Sequence, residues 1–153
     1  MIRQVNEEAF GGADEADLVE ALRREGVVLL SLVAELNRRI VGHILFSRML
    51  IETPAGPIAA VALAPLAVLP PYQRQGIGGK LIRDGVDTLR GLGERFVIVV
   101  GHPEYYPRFG FSTALARSLE SPFHPEAFMA LQLSPGALDR IQGRVSYPRA
   151  FGL

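Results

Sequence analysis

Between Ile58 and Gly101 the chain spells out one continuous structural unit, and no other stretch limits the fold as much. Ile58-Ala59-Ala60-Val61-Ala62-Leu63-Ala64-Pro65-Leu66-Ala67-Val68-Leu69 is almost wholly apolar, as a strand buried on both faces is. Pro70-Pro71-Tyr72 ends it, and Gln73-Arg74-Gln75-Gly76-Ile77-Gly78-Gly79-Lys80 makes a glycine-rich turn. Leu81, Ile82, Gly85, Val86 and Leu89 then recur at helical spacing up to Gly91, and Phe96-Val97-Ile98-Val99-Val100-Gly101 is a second short apolar strand. Strand, helix, strand in that order is a crossover, whose two strands pair in parallel. Pro65 is the anomaly. Proline cannot donate to a sheet ladder and is tolerated at an edge, at a bulge or where a strand leaves its neighbour, so a gap in the sheet is expected near Pro65.

The flanking segments supply the rest of a mixed fold. Asp14 to Arg24 puts Leu18 and Leu22 on one helix face, with acids in the first turn and arginines in the last to suit the helix dipole; Gly26 ends it. Val27 to Glu35 and Ile40 to Leu50 are apolar runs joined by the polar turn Asn37-Arg38, which predicts a β-hairpin. His102 to Phe111 reads as a short helical or turn segment and Phe128 to Leu133 as a further strand. No repeat, low-complexity tract or linker divides the chain, so residues 1–153 are expected to form a single domain of the α/β (α+β) class, with helices on the faces of a sheet. A chain of this length buries roughly 68–70% of its unfolded surface, enough for a core without staples.

Composition narrows the chemistry. The 16 basic and 16 acidic side chains cancel, which argues against wholesale binding of nucleic acid or an anionic membrane. Any anion site must be local. With no cysteine, the chain has no disulfide, no thiolate zinc site and no cysteine nucleophile. The three histidines lack metal-ligand spacing and no Gly-x-Ser-x-Gly elbow occurs, so no metal is expected. His43, inside an apolar strand, reads as a packed or pocket-lining side chain, and His124 beside Pro125 as a surface one. Met1-Ile2-Arg3-Gln4-Val5-Asn6-Glu7-Glu8 lacks an apolar signal region, and every apolar run breaks before ~18 residues, so the expected location is cytoplasmic.

The glycine turn stands where a helix begins, and the first turn of a helix leaves backbone N–H groups unpaired with the positive end of the dipole behind them. Glycines let that backbone approach an anion closely, so an uncharged chain can build a phosphate cradle from amides. Leu81 follows Gly79-Lys80, where a Walker loop needs Ser or Thr, and it also occupies the place of the third glycine of a dinucleotide fingerprint. What fits is Gln/Arg-x-x-Gly-x-Gly, here Gln73-Arg74-Gln75-Gly76-Ile77-Gly78 after the strand Leu66-Ala67-Val68. This stretch resembles the acetyl-CoA binding motif of the GNAT superfamily of N-acetyltransferases, and Tyr105-Tyr106-Pro107-Arg108-Phe109-Gly110-Phe111 resembles that superfamily's later Tyr-x-x-x-Gly-Phe element. Val33-Ala34-Glu35, Val41-Gly42-His43 and Gly101-His102-Pro103-Glu104-Tyr105-Tyr106 extend the likeness to YhbS-like bacterial acetyltransferases, over nearly the whole chain.

The resemblance implies a mostly antiparallel twisted sheet with a splayed central parallel pair, the pantetheine arm of acetyl-CoA lying in the gap. It implies that the backbone of Leu66, Ala67 and Val68 holds pantetheine and the acetyl carbonyl, with Val68 N–H toward the developing oxyanion. The N–H groups of Arg74, Gln75, Gly76, Ile77, Gly78 and Gly79 would hold the pyrophosphate, with Arg74 and Lys80 adding charge nearby, toward the 3′-phosphate or solvent. Tyr106 stands where the family's general acid stands, although a core tyrosine with a satisfied hydroxyl is the commoner fate of this residue type. Relatives place a Glu on the strand after the crossover, and Phe96 to Val100 has none; His102, with Glu104 behind it, is the candidate base, and a strand-end cap is its alternative reading. The helix from Asp14, Tyr105, Phe109 and Ser146-Tyr147-Pro148 are expected to wall the acceptor site. The implied activity is direct transfer of an acetyl group to a primary amine of a small molecule or peptide, the alternative being an acyl-CoA-binding regulatory module with little turnover. A homodimer is a further expectation.

Overall fold

The computed structural model describes residues 1–153. Asn37 and Arg38 both take the left-handed backbone conformation, φ 51° and 65°, that a two-residue hairpin turn requires. They join strand β1 (Val28–Leu36) to β2 (Arg39–Thr53), which is long enough to serve two partners on one edge. Its first half pairs with β1 and its last residues, Leu50 to Glu52, pair with β7 (Gly143–Ser146). Its other edge pairs antiparallel with β3 (Gly56–Val68). Helix α3 (Ile77–Gly91) carries the chain across to β4 (Phe96–Val100), which lies parallel to β3, and β6 (Phe128–Gln132) closes that side. With the short β5 (Leu119–Glu120), the seven-stranded sheet runs β5-β7-β2-β3-β4-β6, β1 standing off this path against β2. The fold is the expected mixed sheet, mainly antiparallel, with a central parallel pair.

Alternation along β2 sorts the two faces. A Cβ on Gly42 would meet Leu81 and Ile77 at 3.1 and 3.2 Å, so Gly42, Ile44 and Phe46 look toward α3. Val41, His43 and Leu45 look the other way, toward α1 (Ile2–Phe10) and α2 (Asp14–Glu25), where Val5, Val19 and Leu22 are buried. No unbroken periodic pattern in the sequence marks an element over Ile2–Phe10. Its helix is held by the sheet, and a buried polar residue, Asn6, sits where an apolar stripe would have marked it.

Gly85 sets how closely α3 approaches the sheet. A Cβ there would lie 2.4 and 2.6 Å from the ring of Phe46, which is fully buried. Gly85→Ala is expected to lower stability, because overpacking costs about 1–3 kcal/mol and outweighs the ~1 kcal/mol that alanine gains in a helix. Urea denaturation reads this directly, and an unchanged midpoint would show that the ring can retreat. Below the sheet, Arg48 grips Glu94 in a bidentate pair at 2.9 and 2.6 Å and donates to Ala60 O at 3.1 Å, tying the start of β4 to β2 and β3.

Candidate active site

The parallel pairing of β3 and β4 spans only Val61 with Val97 and Ala62 with Ile98. Beyond it the strands part, and on the opposite edge a bulge sets Ala64 and Pro65 against Leu45 alone, because Ile44 pairs with Leu66 and Phe46 with Leu63. Pro65 therefore sits where the ladder needs no donor, as its chemistry requires. Leu69 N–H donates to Val41 O at 2.8 Å. Antiparallel ladders alternate, so Ala67 also turns its backbone to β2 while Leu66 and Val68 turn theirs toward the opened gap. Val68 O accepts from Gln73 Nε2 at 2.9 Å, which leaves Val68 N–H aimed at the cleft. Leu66 and Val68 line that cleft of about 1240 Å³; Ala67, buried against α1, does not.

The turn that follows is a row of free donors. None of the six N–H groups from Arg74 to Gly79 meets an acceptor within the protein, and the first bond of α3 is Lys80 N–H to Gly76 O at 3.0 Å. Arg74 and Gly76 are left-handed, φ 64° and 87°, and such alternation curls successive N–H groups into a concave anion nest. Helix α3 adds the positive end of its dipole. Arg74, Gly76, Ile77, Gly78 and Gly79 line the cleft and Gln75 does not. Of the two directions expected for Lys80 it takes the solvent one, pairing with Asp84 at 3.1 Å and not lining the cleft. Arg83 and Arg108, which no motif marks, supply the charge. Arg83 lies 5.1 Å from the Phe109 ring centre and Arg108 5.8 Å from that of Tyr105, two guanidiniums held on an aromatic platform. Helical spacing from Gly79 to Arg83 was the available signal for the first of them.

Across the gap, His102 O accepts the N–H groups of Tyr105 and Tyr106 at 3.1 and 3.3 Å and starts the short 3₁₀ turn Tyr106–Phe109. Tyr106 is 9% exposed, its ring edge-on to Tyr105 and Phe111, with centroids 5.1 and 5.7 Å away. The ring sits on Gly101, where a Cβ would come within 2.3 Å of it, so only glycine seats this side chain. Burial, followed by the neighbouring Tyr105, pushes the Tyr106 hydroxyl up to about 12, which keeps it protonated across the neutral range. Tyr105 is a different case. Its hydroxyl lies 2.7 Å from where a Gly78 Cβ would be, at the mouth of the amide turn. The imidazole of His102 is exposed on the cleft wall, and Glu104 lies outside the wall.

The far end of the cleft has another character. Phe10, Glu15 and Leu18 come from α1 and α2, and Phe123, Tyr147 and Phe151 from the C-terminal part of the chain. Tyr147 meets Phe123 and Phe151 with ring centres 5.6 and 5.0 Å apart. Glu25 at the end of α2 accepts the N–H groups of Arg149 and Ala150 at 3.1 and 2.9 Å, and so hooks the C-terminal segment onto this helix. Leu18 and Tyr147 line this end, as expected of the acceptor wall; Tyr105 and Phe109, also expected there, stand at the turn end against Gly78 and Gly79, Ser146 and Pro148 do not line the cleft, and Phe10, Phe123 and Phe151 carried no sequence signal. No group of three or more His, Cys, Asp or Glu is gathered as metal ligands are, and no helix is long and apolar enough to cross a membrane.

A parted strand pair ending on an amide nest defines a class of protein that grips an extended, phosphate-bearing ligand along strand backbone. Known proteins place the chain within that class. Residues 2–114 match the family described as the acetyltransferase (GNAT) domain, and the chain belongs to that family. It is 46% identical over 112 residues to the uncharacterised Escherichia coli N-acetyltransferase YjhQ, covering 72% of this chain and 62% of that protein. To the uncharacterised E. coli N-acetyltransferase YhbS it is 34% identical over 146 residues, 94% of this chain and 86% of that one. The crystal structure of E. coli YhbS in complex with CoA superposes with a TM-score of 0.91 at 32% identity, covering 99% of this chain and 85% of the other. A GNAT acetyltransferase from Brucella melitensis in complex with acetyl-CoA gives 0.81 at 40% identity, with 98% and 89% covered.

Proposed function

We propose that the protein transfers an acetyl group from acetyl-CoA directly to a primary amine of a small molecule or peptide, in the cytoplasm. The observation that carries this reading is the run of six partnerless N–H groups from Arg74 to Gly79 opening onto the free Val68 N–H in the strand gap. One feature cradles a pyrophosphate and the other faces a carbonyl. Solved relatives named with CoA and acetyl-CoA support the same ligand.

Acetyl-CoA supplies an acyl group already activated as a thioester. The chain's own residues do the rest. Leu66 and Val68 hold the arm extended by strand-like hydrogen bonds, and Val68 N–H donates to the carbonyl oxygen as negative charge gathers there. Tyr106 donates its hydroxyl hydrogen toward the departing sulfur. His102, exposed at the end of β4, is placed to take the ammonium proton, directly or through water.

Titration calorimetry with acetyl-CoA followed by thiol release over a panel of amines, amino acids, aminoglycosides and peptides tests the reading. Binding and thiol release are expected. Binding without release above background from any acceptor would instead favour the regulatory acyl-CoA module, for which the lack of a carboxylate on β4 speaks.

Gly78 offers a sharper check of the cradle. A methyl group there would crowd the Tyr105 hydroxyl at 2.7 Å and approach Leu66 and Val68 at 3.7 and 3.8 Å, filling the angle between turn and strand. Gly78→Ala is expected to weaken acetyl-CoA by about tenfold or more, roughly 1.4 kcal/mol, with the melting temperature nearly unchanged. Unaltered affinity would show that the ligand does not approach this position.

A further inference from the structure

The cleft is electrically polarised. At the turn end its charges are Arg74, Arg83 and Arg108; at the other end Glu15 is its sole carboxylate. Asp17 and Glu20 on the same helix are both bound by Arg3, at 2.9 and 3.0 Å, whereas Glu15 takes part in no ion pair. A carboxylate in the first turn of a helix ordinarily serves the dipole, and Asp14 and Asp17 already do this from exposed positions. Glu15 alone of the three is half-buried and faces the cleft. Around it the wall is aromatic: Phe10, Phe123, Tyr147 and Phe151, with Leu18 beside them. The Glu25 clamp on Arg149 and Ala150 fixes Phe151 next to α2, so the wall is built in and not a loose tail.

We propose that the acceptor is an amine carried on a flat apolar body, which lies among these aromatic rings while Glu15 holds its ammonium group. This rests on the acetyl-transfer reading and specifies its acceptor. The surroundings discriminate for a physical reason. An aryl group leaves water for an apolar wall, whereas a polyamine or aminosugar would strip its hydration against the same rings with one carboxylate to compensate. A free amino acid, a zwitterion, would bring its carboxylate beside Glu15 together with its ammonium group. Glu15 acts here as a selecting residue that binds substrate, and the proton leaves the amine afterwards.

Initial rates of thiol release compare 2-phenylethylamine with spermidine, glucosamine and phenylalanine. The expected kcat/KM is about a hundredfold higher for phenylethylamine than for spermidine and glucosamine, the size of an aryl burial, and it is also higher than for phenylalanine, which carries the same ring but sets its carboxylate against Glu15. Glu15→Gln should raise the phenylethylamine KM about tenfold with acetyl-CoA affinity unchanged. Preference for spermidine or glucosamine, or an unmoved KM in the variant, would overturn the assignment while leaving acetyl transfer intact. If acetyl-CoA binds but no amine releases thiol, the transfer reading fails. Calorimetric titration of phenylethylamine into the CoA-loaded chain then decides the pocket by itself: binding that Glu15→Gln weakens supports it, and no binding sinks it.

Discussion

Tyr106→Phe is expected to lower kcat by about 10²-fold, at the lower end of the range for removing a positioned proton donor, while acetyl-CoA affinity moves little. The magnitude follows from the environment of the hydroxyl. Burial against Gly101, Phe111 and Tyr105 holds its pKa up to about 12, whereas a free thiol titrates near ~8.5. Full proton transfer in the ground state is therefore uphill. What the hydroxyl offers is a preorganised hydrogen bond that strengthens as charge grows on sulfur, and a proton delivered late. Steady-state rates with thiol detection, set beside calorimetric affinities, separate this from a packing role. The phenylalanine variant keeps the ring and its edge-on contacts, so a fall in kcat without a fall in melting temperature isolates the oxygen. Tyr105→Phe is the internal comparison: its hydroxyl lies at Gly78, so its loss should act on acetyl-CoA affinity. If the two effects are exchanged, Tyr105 is the acid and Tyr106 is core.

The parts of this site that could be read from sequence are those set by local backbone chemistry. Gly76, Gly78 and Gly79 announce a turn that packs closely, and Pro65 announces a break in a ladder, because each residue type restricts its own backbone whatever the distant context. The crossover order makes the parallel pair nearly obligatory. Side-chain charge was less legible. Lys80 and Arg83 both flank the turn in sequence, and only the helical rotation from Gly79 turns Arg83 inward and Lys80 out to Asp84. The acceptor wall was the least legible part. Phe10, Phe123 and Phe151 come together from three distant segments, and the contact that seats Phe151, Glu25 to Arg149 and Ala150, spans more than a hundred residues with no periodicity to mark it. Helix α1 is illegible in the sequence for a related reason. Asn6 is buried there for a polar purpose, the support of His43.

That support makes acid the chain's weak point. His43 is fully buried, between α1 and the sheet. Asn6 Nδ2 donates one hydrogen to Ile2 O at 3.1 Å and points the other at His43 Nδ1, 3.2 Å away. Nδ1 must therefore present its lone pair, and Nε2 carries the proton to Ser31 Oγ at 3.0 Å, a hydroxyl oxygen that also accepts from Arg23 at 3.1 Å. A second proton on the fully buried ring would face an amide N–H, with an arginine nearby. Burial first, and the Arg23 charge second, accordingly press the His43 pKa down to about 4 from an ordinary 6.5. The unfolded chain then binds more protons than the folded one between these two values, so stability rises with pH across that window and falls on acidification. The slope approaches about 1.4 kcal/mol per pH unit below ~6.5, and the loss amounts to about 3 kcal/mol by pH 4. Urea denaturation between pH 7 and pH 5, above the range where most carboxylates titrate, should show this slope in the wild-type chain and lose it in His43→Gln. Imidazole proton resonances followed by NMR in the wild type give the same answer without any variant. A His43 ring that titrates near 6.5 would mean that the pocket admits water, and acid would then have no special hold on the seat of α1 behind the Leu66 to Val68 strand.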